Sequence, residues 1–377
     1  MSGGVDSSVA AALLKKSGYD VVGITMQIWD YASENPASCC SISAVNDARK
    51  VADKTGIPLY VLNFRDIFKK KVIDYFADTY MRGRTPNPCI KCNEEIKFKA
   101  LFTKAKQISA DFMATGHYAR ISRDKQSGRY LLKKARDSKK DQSYVLYGLK
   151  QAQLSRMLLP LGGYLKPDVR KIAAETGLAV ADKPESMEIC FVPDNDYGKF
   201  IFENYRKKSA AGNILDVKGN KIGMHTGISN YTIGQRRGLG IAGRKPLYVI
   251  EINARKNAII AGEDKYLYSK ALIAKCANFI SIDRLKMPMN VSVKIRSAMK
   301  PRPAVISPRG RGKVLVEFKT ALRAVTPGQA VVFYKGATVV GGAVIERGAL
   351  RHFPLASLGL RYASRRRRGD AKAVRGL

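Results

Sequence analysis

The chain has 377 residues, which is long enough for two or three domains with hydrophobic cores of their own. Lys and Arg total 67 against 31 Asp and Glu, giving a formal net charge of +36. This excess argues against an enzyme of a small neutral substrate and favours a polyanionic partner, with nucleic acid first. A general bias of the source organism towards basic residues is the alternative.

Helix and strand patterns alternate along residues 1–205. This alternation is typical of an α/β, Rossmann-like domain with a parallel sheet and helices on both faces. Ligands of such sheets bind beyond the carboxyl ends of the strands. Helices are predicted at 6–16, 43–54, 66–81 and 94–108, and strands at 21–26, 59–63 and 111–115.

The composition and the apolar pattern of the sequence change after residue 206. A small central domain is predicted over 206–270 and a C-terminal β-barrel over 271–350, because the later apolar runs are short, β-branched and bounded by turns. These runs lie at 247–252, 291–297, 314–318, 330–334 and 338–345. Residues 351–377 form a basic tail that we expect to be disordered.

No apolar run reaches the length needed to span a membrane. The N-terminus also lacks a basic segment that leads into an apolar stretch, so a secretory signal is not expected. We therefore predict a cytoplasmic protein without membrane contact.

The motif SGGVDSS at residues 2–8 stands directly before the first predicted helix. Glycines followed by a helix N-terminus direct several N–H donors to one point, and this arrangement suits a pyrophosphate. The GK[ST] ending of a Walker loop is absent. The motif instead resembles the PP-loop of ATP pyrophosphatases. An ordinary glycine-rich helix cap is the alternative.

The cysteines are too few for a disulfide scaffold of this size, and metal binding or catalysis fits them better. They are Cys39, Cys40, Cys89, Cys92, Cys190 and Cys276. Cys89 and Cys92 form a CxxC pair before a predicted helix, where the helix dipole and nearby lysines favour a thiolate. A redox dithiol, a zinc or iron–sulfur half-site and coincidence remain open for this pair.

The other cysteines have structural interpretations. Cys190 follows a proline-bearing loop, and a buried structural role is common for such a residue. Cys39 and Cys40 are adjacent, and neighbouring cysteines rarely bind one metal well. Cys276 lies in a strand-like run and is predicted to be in the core.

Six motifs occur in a fixed order along the chain. They are SGGVDSS at 2–8, GRTPNPCIKCNEEIKF at 83–98, TGHYAR at 115–120, KDQSYVLYGL at 140–149, EICF at 188–191 and YTIGQRRGLGI at 231–241. Together they closely resemble the bacterial tRNA-specific 2-thiouridylase family of the PP-loop superfamily. The resemblance covers about residues 1–346.

The resemblance implies an ATP-dependent 2-thiolation of the wobble uridine, position 34, in the anticodon arm of tRNA. ATP, with magnesium, would adenylate the 2-carbonyl oxygen and leave pyrophosphate in the loop at 2–8. A persulfide on Cys190 would then supply sulfur and release AMP. Cys92 would be the partner nucleophile that frees sulfide or closes a disulfide with Cys190. A persulfide-donor protein is the implied second partner.

Site residues follow from the matching motifs. Those implied for ATP are Met1, Ser2, Gly3, Gly4, Val5, Asp6, Ser7, Ser8, Met26 and Gly116. Those implied for tRNA or the target base are Asn87, Pro88, Cys89, His117, Lys140, Asp141, Gln142, Arg296, Ser297 and Gln329. Asp6 is further expected to help hold magnesium or pyrophosphate.

The chain departs from the family pattern at three places. Cys89 stands where many members have an aspartate suited to acid–base work. Ser297 follows Arg296 where an Arg-Tyr pair is expected. Met1 directly precedes the loop, where the fold calls for a central strand, so we expect an upstream start or a truncated copy. We also expect an empty slot beside the strand at 21–26.

Cys89 motivates a further hypothesis. Together with Cys92 and Cys190 it would supply three thiolates for a [4Fe–4S] cluster with one iron open to sulfide. The persulfide relay is the preferred alternative.

Two other functions stay open. One is a PP-loop sulfurtransferase that acts on another substrate. The other is a tRNA-binding protein with an impaired ATP site. Exchange of ATP with pyrophosphate, stimulated by tRNA, would separate the enzyme from the binding protein.

Overall fold

The structure is a computed structural model that describes residues 1–28, 42–184, 189–192, 196–205, 210–241, 245–310 and 312–350. Cys39, Cys40 and the predicted tail at 351–377 lie outside the described residues. Across the described part of the chain, no helix is both long and apolar enough to cross a membrane.

The N-terminal region contains the α-helices and two pairs of parallel strands. Its α-helices are α1 (Val5–Lys16), α2 (Ile42–Thr55), α3 (Arg65–Phe68), α4 (Asp74–Met81), α5 (Pro88–Cys92), α6 (Phe102–Gln107), α7 (Gln151–Leu154), α8 (Lys166–Glu175) and α9 (Tyr197–Tyr205). Its strands are β1 (Gly23–Gln27), β2 (Leu59–Asn63), β3 (Met113–Ala114), β4 (Ala119–Arg123), β5 (Tyr130–Lys134) and β6 (Met157–Leu158). π-helical turns at Lys69–Ile73 and Asn93–Leu101 join α3 to α4 and α5 to α6.

The remaining strands build two all-β units. They are β7 (Gly212–Leu215), β8 (Lys221–His225), β9 (Tyr248–Asn253), β10 (Ala258–Gly262), β11 (Tyr268–Phe279), β12 (Met289–Lys294), β13 (Arg302–Pro308), β14 (Val314–Arg323), β15 (Ala330–Lys335) and β16 (Thr338–Leu350). Strands β7 to β10 form one sheet in the order β8-β7-β10-β9.

The parallel pairing predicted for the N-terminal domain is confirmed. β1 pairs with β2 in parallel, with Gly23 opposite Leu59, and β3 pairs with β6 in parallel. The backbone of Met1 lies against β1, since its amino group donates to the Ile24 carbonyl and its own carbonyl accepts from Thr25 Oγ1 at 2.9 Å. The empty slot expected beside β1 stays a prediction.

The C-terminal strands close into the predicted barrel. β11, β14, β13, β12, β15 and β16 follow one another around it, and β16 pairs back onto β11. Alternate side chains of these strands point inward, so the interior fills with Val, Ile, Leu and Phe. Closure also removes the free strand edges that would otherwise invite aggregation.

The N-terminal domain and the barrel share one hydrophobic core. Tyr144, Leu146 and Leu149 pack with the barrel residues Val332 and Tyr334. The Tyr144 hydroxyl is fully buried and donates to the Ala330 carbonyl at 2.9 Å. The hairpin β4–β5 also continues the barrel sheet, because β5 pairs with β16. The motif KDQSYVLYGL is therefore largely an interdomain packing segment.

Most predicted elements agree with the structure within a few residues, and the strand at 59–63 agrees at both ends. The prediction for 111–115 was longer than the two-residue strand β3. The prediction that Cys276 lies in the core was wrong. It is in strand β11, but it is exposed and has φ 54°, at a point where the pairing register with β16 shifts. Such an irregularity turns a side chain out of the strict alternation.

Candidate active site

The loop at residues 2–8 leads into α1 with its own hydrogen bonds. Gly4 caps the helix in an extended conformation, and the hydroxyls of Ser7 and Ser8 donate to the Gly4 carbonyl at 3.1 and 3.0 Å. The Ser2 amide donates to Ser7 Oγ at 3.1 Å. First-turn N–H groups of a helix have no intrahelical acceptor, so this end of α1 can bind an anion.

Gly3 is the residue that the loop geometry requires. Its φ is 63°, a left-handed value that glycine adopts without strain. A Cβ at this position would also collide with the backbone carbonyl of Ala44 in α2. The loop therefore lies directly against the start of α2.

Two lysines hold polar groups of the loop. Lys166 Nζ lies 2.6 Å from Asp6 Oδ1, and the Lys166 side chain is only 8% exposed. Lys183 Nζ donates to the Gly3 carbonyl at 3.0 Å and to Asp47 Oδ2 at 2.5 Å. The Tyr118 hydroxyl donates to the same Asp6 Oδ1 at 2.7 Å. Asp6 is thus engaged by protein donors.

Gly116 brings the motif TGHYAR onto this loop. A Cβ on Gly116 would stand 2.7 Å from the Asp6 carbonyl carbon and 2.8 Å from the Ser7 nitrogen. Only a glycine allows this approach of two backbones. Gly116 and the phosphate loop, both predicted for ATP, are therefore neighbours in the structure.

The two predicted sulfur residues pack against one hydrophobic cluster. Cys92 ends α5, Cys190 stands beside the buried Phe191, and both thiols are half-buried. Met26, predicted for the adenosine pocket, packs against the same cluster. Cys89 is exposed near the start of α5. Their roles stay predictions.

The segment predicted to face the target base is built around a helix cap. Asn87 Oδ1 accepts from the Ile90 amide at 3.1 Å, and Pro88 fills the first position of α5. Gln329 Nε2 donates to the Pro86 carbonyl at 3.2 Å. The predicted tRNA contact Gln329 therefore holds the loop that precedes Cys89.

The middle domain and the barrel complete this support. Thr85 donates its amide to Pro327 and its hydroxyl to Thr232 Oγ1, at 2.9 and 3.2 Å. The segments TPNP at 85–88, YTIGQ at 231–235 and TPGQ at 326–329, which lie far apart in the sequence, thus meet at one junction. A cavity of about 1080 Å³ opens there, and its lining includes Asn87 and Lys91.

His117 is buried, with Nδ1 2.9 Å from Thr115 Oγ1. Burial, and secondarily the charge of Lys97, holds the pKa of His117 well below its ordinary value of 6.5. The imidazole is therefore neutral near pH 7, and its predicted contact with tRNA stays a prediction.

Residues 140–142 are half-buried, and their hydrogen bonds hold neighbouring segments of the chain together. Asp141 Oδ1 accepts from the amides of Ala135 and Ser143 at 3.2 and 3.1 Å. The Gln142 side chain accepts from the Tyr118 amide at 2.8 Å. The amide of Lys140 donates to Asp137 Oδ1 at 3.3 Å.

The predicted pair Arg296 and Ser297 follows strand β12 and is exposed. Arg296 donates to the Ala324 carbonyl at 2.7 Å. This bond ties the turn to the neighbouring barrel loop. Contact of either residue with tRNA stays a prediction.

The three-thiolate hypothesis does not match the described donors, while the magnesium role of Asp6 stays a prediction. Cys89, Cys92 and Cys190 are all described, yet no group of three His, Cys, Asp or Glu side chains within the described ranges could hold a metal ion. The arrangement does not fit a three-thiolate cluster. Asp6, expected to help with magnesium, already accepts from Lys166 and Tyr118 at one oxygen.

Comparison with known proteins agrees with this architecture. Residues 1–194 match the family described as tRNA methyl transferase HUP domain, and residues 199–263 match its PRC-barrel domain. Residues 269–345 match an aminomethyltransferase beta-barrel domain. The chain therefore consists of a HUP domain followed by two barrel domains.

Curated relatives are similar over nearly the whole chain. The tRNA-specific 2-thiouridylase MnmA of Clostridioides difficile is 56% identical over 92% of this chain and 97% of its own length. The proteins of the same name from Acetivibrio thermocellus and Carboxydothermus hydrogenoformans are 56% and 54% identical, over 92% of this chain and 98% and 96% of theirs. The chain belongs to the tRNA-specific 2-thiouridylase family.

Sequence reasoning missed three residues that hold the loop. Lys166 and Lys183 looked like two among many surface lysines, and nothing local marked them as partners of Asp6 and Gly3. Tyr118 lies inside the motif TGHYAR, but the motif gives no indication of its contact with Asp6. Such pairings join residues more than 100 positions apart and emerge only from the fold.

Proposed function

We propose that this protein transfers sulfur to the 2-position of the wobble uridine of tRNA at the expense of ATP. Three observations support this function: the names of its relatives, the anion-binding loop at the start of α1, and the net positive charge. The single observation that carries the sulfur step is that Cys92, Cys190 and Met26 pack against one cluster.

The first step is an adenylation. The uracil 2-oxygen attacks the α-phosphorus of ATP, the bond to the β-phosphate breaks, and pyrophosphate leaves towards the N–H groups of the loop at 2–8. These donors can stabilise the departing negative charge. Magnesium would accompany the ATP, and no step here is assigned to it.

The second step is the sulfur transfer. The terminal sulfur of a Cys190 persulfide attacks carbon 2 of the activated base, and the bond from that carbon to the AMP oxygen breaks. Cys92 then attacks the inner sulfur and forms a disulfide with Cys190, which leaves the thiocarbonyl on the base. A persulfide donor and a thiol reductant must restore both cysteines for the next turnover.

The test combines the protein, ATP, a tRNA transcript with U34, a persulfide donor and a thiol reductant. Wild-type protein is expected to form 2-thiouridine, detected by nucleoside mass spectrometry. Cys190→Ser is expected to abolish the product while tRNA affinity stays nearly unchanged. Cys276→Ser, at the exposed cysteine of β11 that lines the junction cavity, is the matched control for loss of a thiol and should still form 2-thiouridine.

Contrary results are equally clear. Thiouridine formed by Cys190→Ser would exclude this cysteine as the sulfur carrier. A wild-type protein that binds tRNA but shows no exchange of ATP with pyrophosphate would be an RNA-binding protein with an impaired ATP site. The family description also mentions methyl transfer, and a methylated base in the same assay would support that reaction instead.

A further inference from the structure

We propose that Tyr118 is a positioning residue that ties the phosphate-binding loop to the segment 140–143, and this inference rests on the proposed function. Its phenol reaches one side of the ATP site, and its backbone is fixed by residues expected to contact tRNA. Tyr118 therefore links the two substrate regions physically.

The contact on the ATP side is a shared carboxylate oxygen. Asp6 Oδ1 accepts from the Tyr118 hydroxyl at 2.7 Å and from Lys166 Nζ at 2.6 Å. Asp6 belongs to the first turn of α1, and the N–H groups of a helix's first turn can bind an anion. Fixing this carboxylate between two donors fixes the first turn, and the Lys166 charge offsets repulsion between the carboxylate and a polyphosphate.

The contact on the other side is a pair of bonds to one residue. The Tyr118 amide donates to Gln142 Oε1 at 2.8 Å, and the Gln142 amide donates to the Tyr118 carbonyl at 2.8 Å. The Tyr118 ring is 2% exposed and packs with Val5 and Val9 of α1. It cannot move without moving that core.

The segment behind Gln142 is itself rigid. Asp141 binds the Ser143 amide and hydroxyl at 3.1 and 3.0 Å. The neighbouring Tyr144 is anchored in the barrel core. A displacement at 140–142 is thus transmitted to Asp6 in two short steps, through the Tyr118 backbone and then its phenol.

The consequence concerns turnover more than binding. Tyr118→Phe keeps the packed ring and removes one donor from Asp6. Because hydrogen bonds to charged groups are among the strongest in proteins, and small misalignments cost much rate, we expect kcat to fall by about 10- to 100-fold. The KM for tRNA should change little, and the thermal midpoint should fall no further than in a variant that loses a hydrogen bond of the same type elsewhere.

The matched control removes a bond of the same type elsewhere. The Tyr205 hydroxyl donates to Asp74 Oδ1 at 2.5 Å, between α9 and α4. Because Tyr205 packs against the same hydrophobic cluster as Cys92 and Cys190, Tyr205→Phe is the control for stability and for backbone opening of the loop at 2–8, not for kcat. If Tyr205→Phe opens that loop as much as Tyr118→Phe does, the effect is general destabilisation and the proposal is wrong.

A double-mutant cycle tests the link itself. Gln142→Ala should lower kcat in the wild-type background and should have little further effect in the Tyr118→Phe background, because the path to Asp6 is already broken. Additive losses from Gln142→Ala and Tyr118→Phe would overturn the proposal.

Hydrogen exchange separates this inference from the proposed function. Tyr118→Phe should speed amide exchange within residues 2–12 of the full-length protein, and Tyr205→Phe should not. A wild-type protein without thiolation would refute the function, while the exchange result would still judge Tyr118. Unchanged exchange at 2–12 in Tyr118→Phe would refute the positioning role.

Discussion

Gly3 shows how a single residue determines the phosphate loop. The positive φ alone would tolerate a small side chain at a modest cost, because left-handed backbone is disfavoured by about 1–2 kcal/mol for other residues. The second constraint is steric, since the Ala44 carbonyl occupies the place of a Cβ. Both constraints come from the fold, although the motif itself is visible in the sequence.

We predict that Gly3→Ala weakens ATP binding at least about tenfold, because the loop must leave α2 to relieve the collision. Gly18→Ala is the matched control. Gly18 follows the C-cap of α1 with φ 84°, and nothing lies within 4 Å of the position of its Cβ. The Gly18→Ala variant should be less stable than wild type but should keep its ATP affinity, which isothermal titration calorimetry measures. Equal ATP affinities for the two variants would contradict this explanation.

The contacts of a residue were harder to predict than its place in a motif. The sequence predicts a helix only from residue 94, whereas α5 begins at Pro88 with Asn87 as its cap, so Cys89 and Cys92 lie within a helix and not before it. Gln329 could not be paired with Pro86 from the sequence, since the two lie more than 200 residues apart. Long-range contacts of this kind depend on how the barrel docks.

At the scale of elements, the early helices and the parallel strands β1 and β2 were predictable because their apolar periodicity is local. Helices α5, α7, α8 and α9 were missed, and so were strands β4 to β8, β10 and β13. β4 and β5 are rich in Lys and Arg, and β13 contains prolines, so their patterns resemble surface loops. β5 is stabilised by its pairing with β16 far along the chain, and β13 by its pairing with the neighbouring strands β12 and β14, despite this composition.

The helix that carries Cys89 and Cys92 depends on its cap. Asn87→Ala removes the acceptor for the Ile90 amide and should lower the free energy of unfolding by about 1 kcal/mol. Asn87→Asp keeps an acceptor and is expected to preserve stability, as urea unfolding would show. If Asn87→Ala proved as stable as wild type, the cap would contribute nothing, and any loss of thiolation in that variant would indicate direct contact with the base.

At the scale of the whole molecule, the three domains meet at the loop that precedes Cys89. Thr85 bonds to the barrel at Pro327 and to the middle domain at Thr232. The loop before Cys89 is therefore supported from both sides by other domains. The order of domains could be read from the sequence, but this convergence could not, because composition says nothing about docking.

The charge of the whole molecule makes a prediction about tRNA binding. Residues 351–377 contain eight Lys or Arg and one Asp, so the remaining chain still carries a net charge of +29. Each phosphate neutralised by a protein cation releases counterions, and log affinity should fall with log salt by about 0.7–0.9 per phosphate contact. We expect a slope of about −4 or steeper. Filter binding at salt concentrations from roughly 50 to roughly 300 mM would measure this slope. Deleting 351–377 should weaken affinity modestly and leave most of the slope. A slope near zero would mean that the positive surface does not contact phosphates, whereas loss of most of the slope on deletion would place the contacts in the tail.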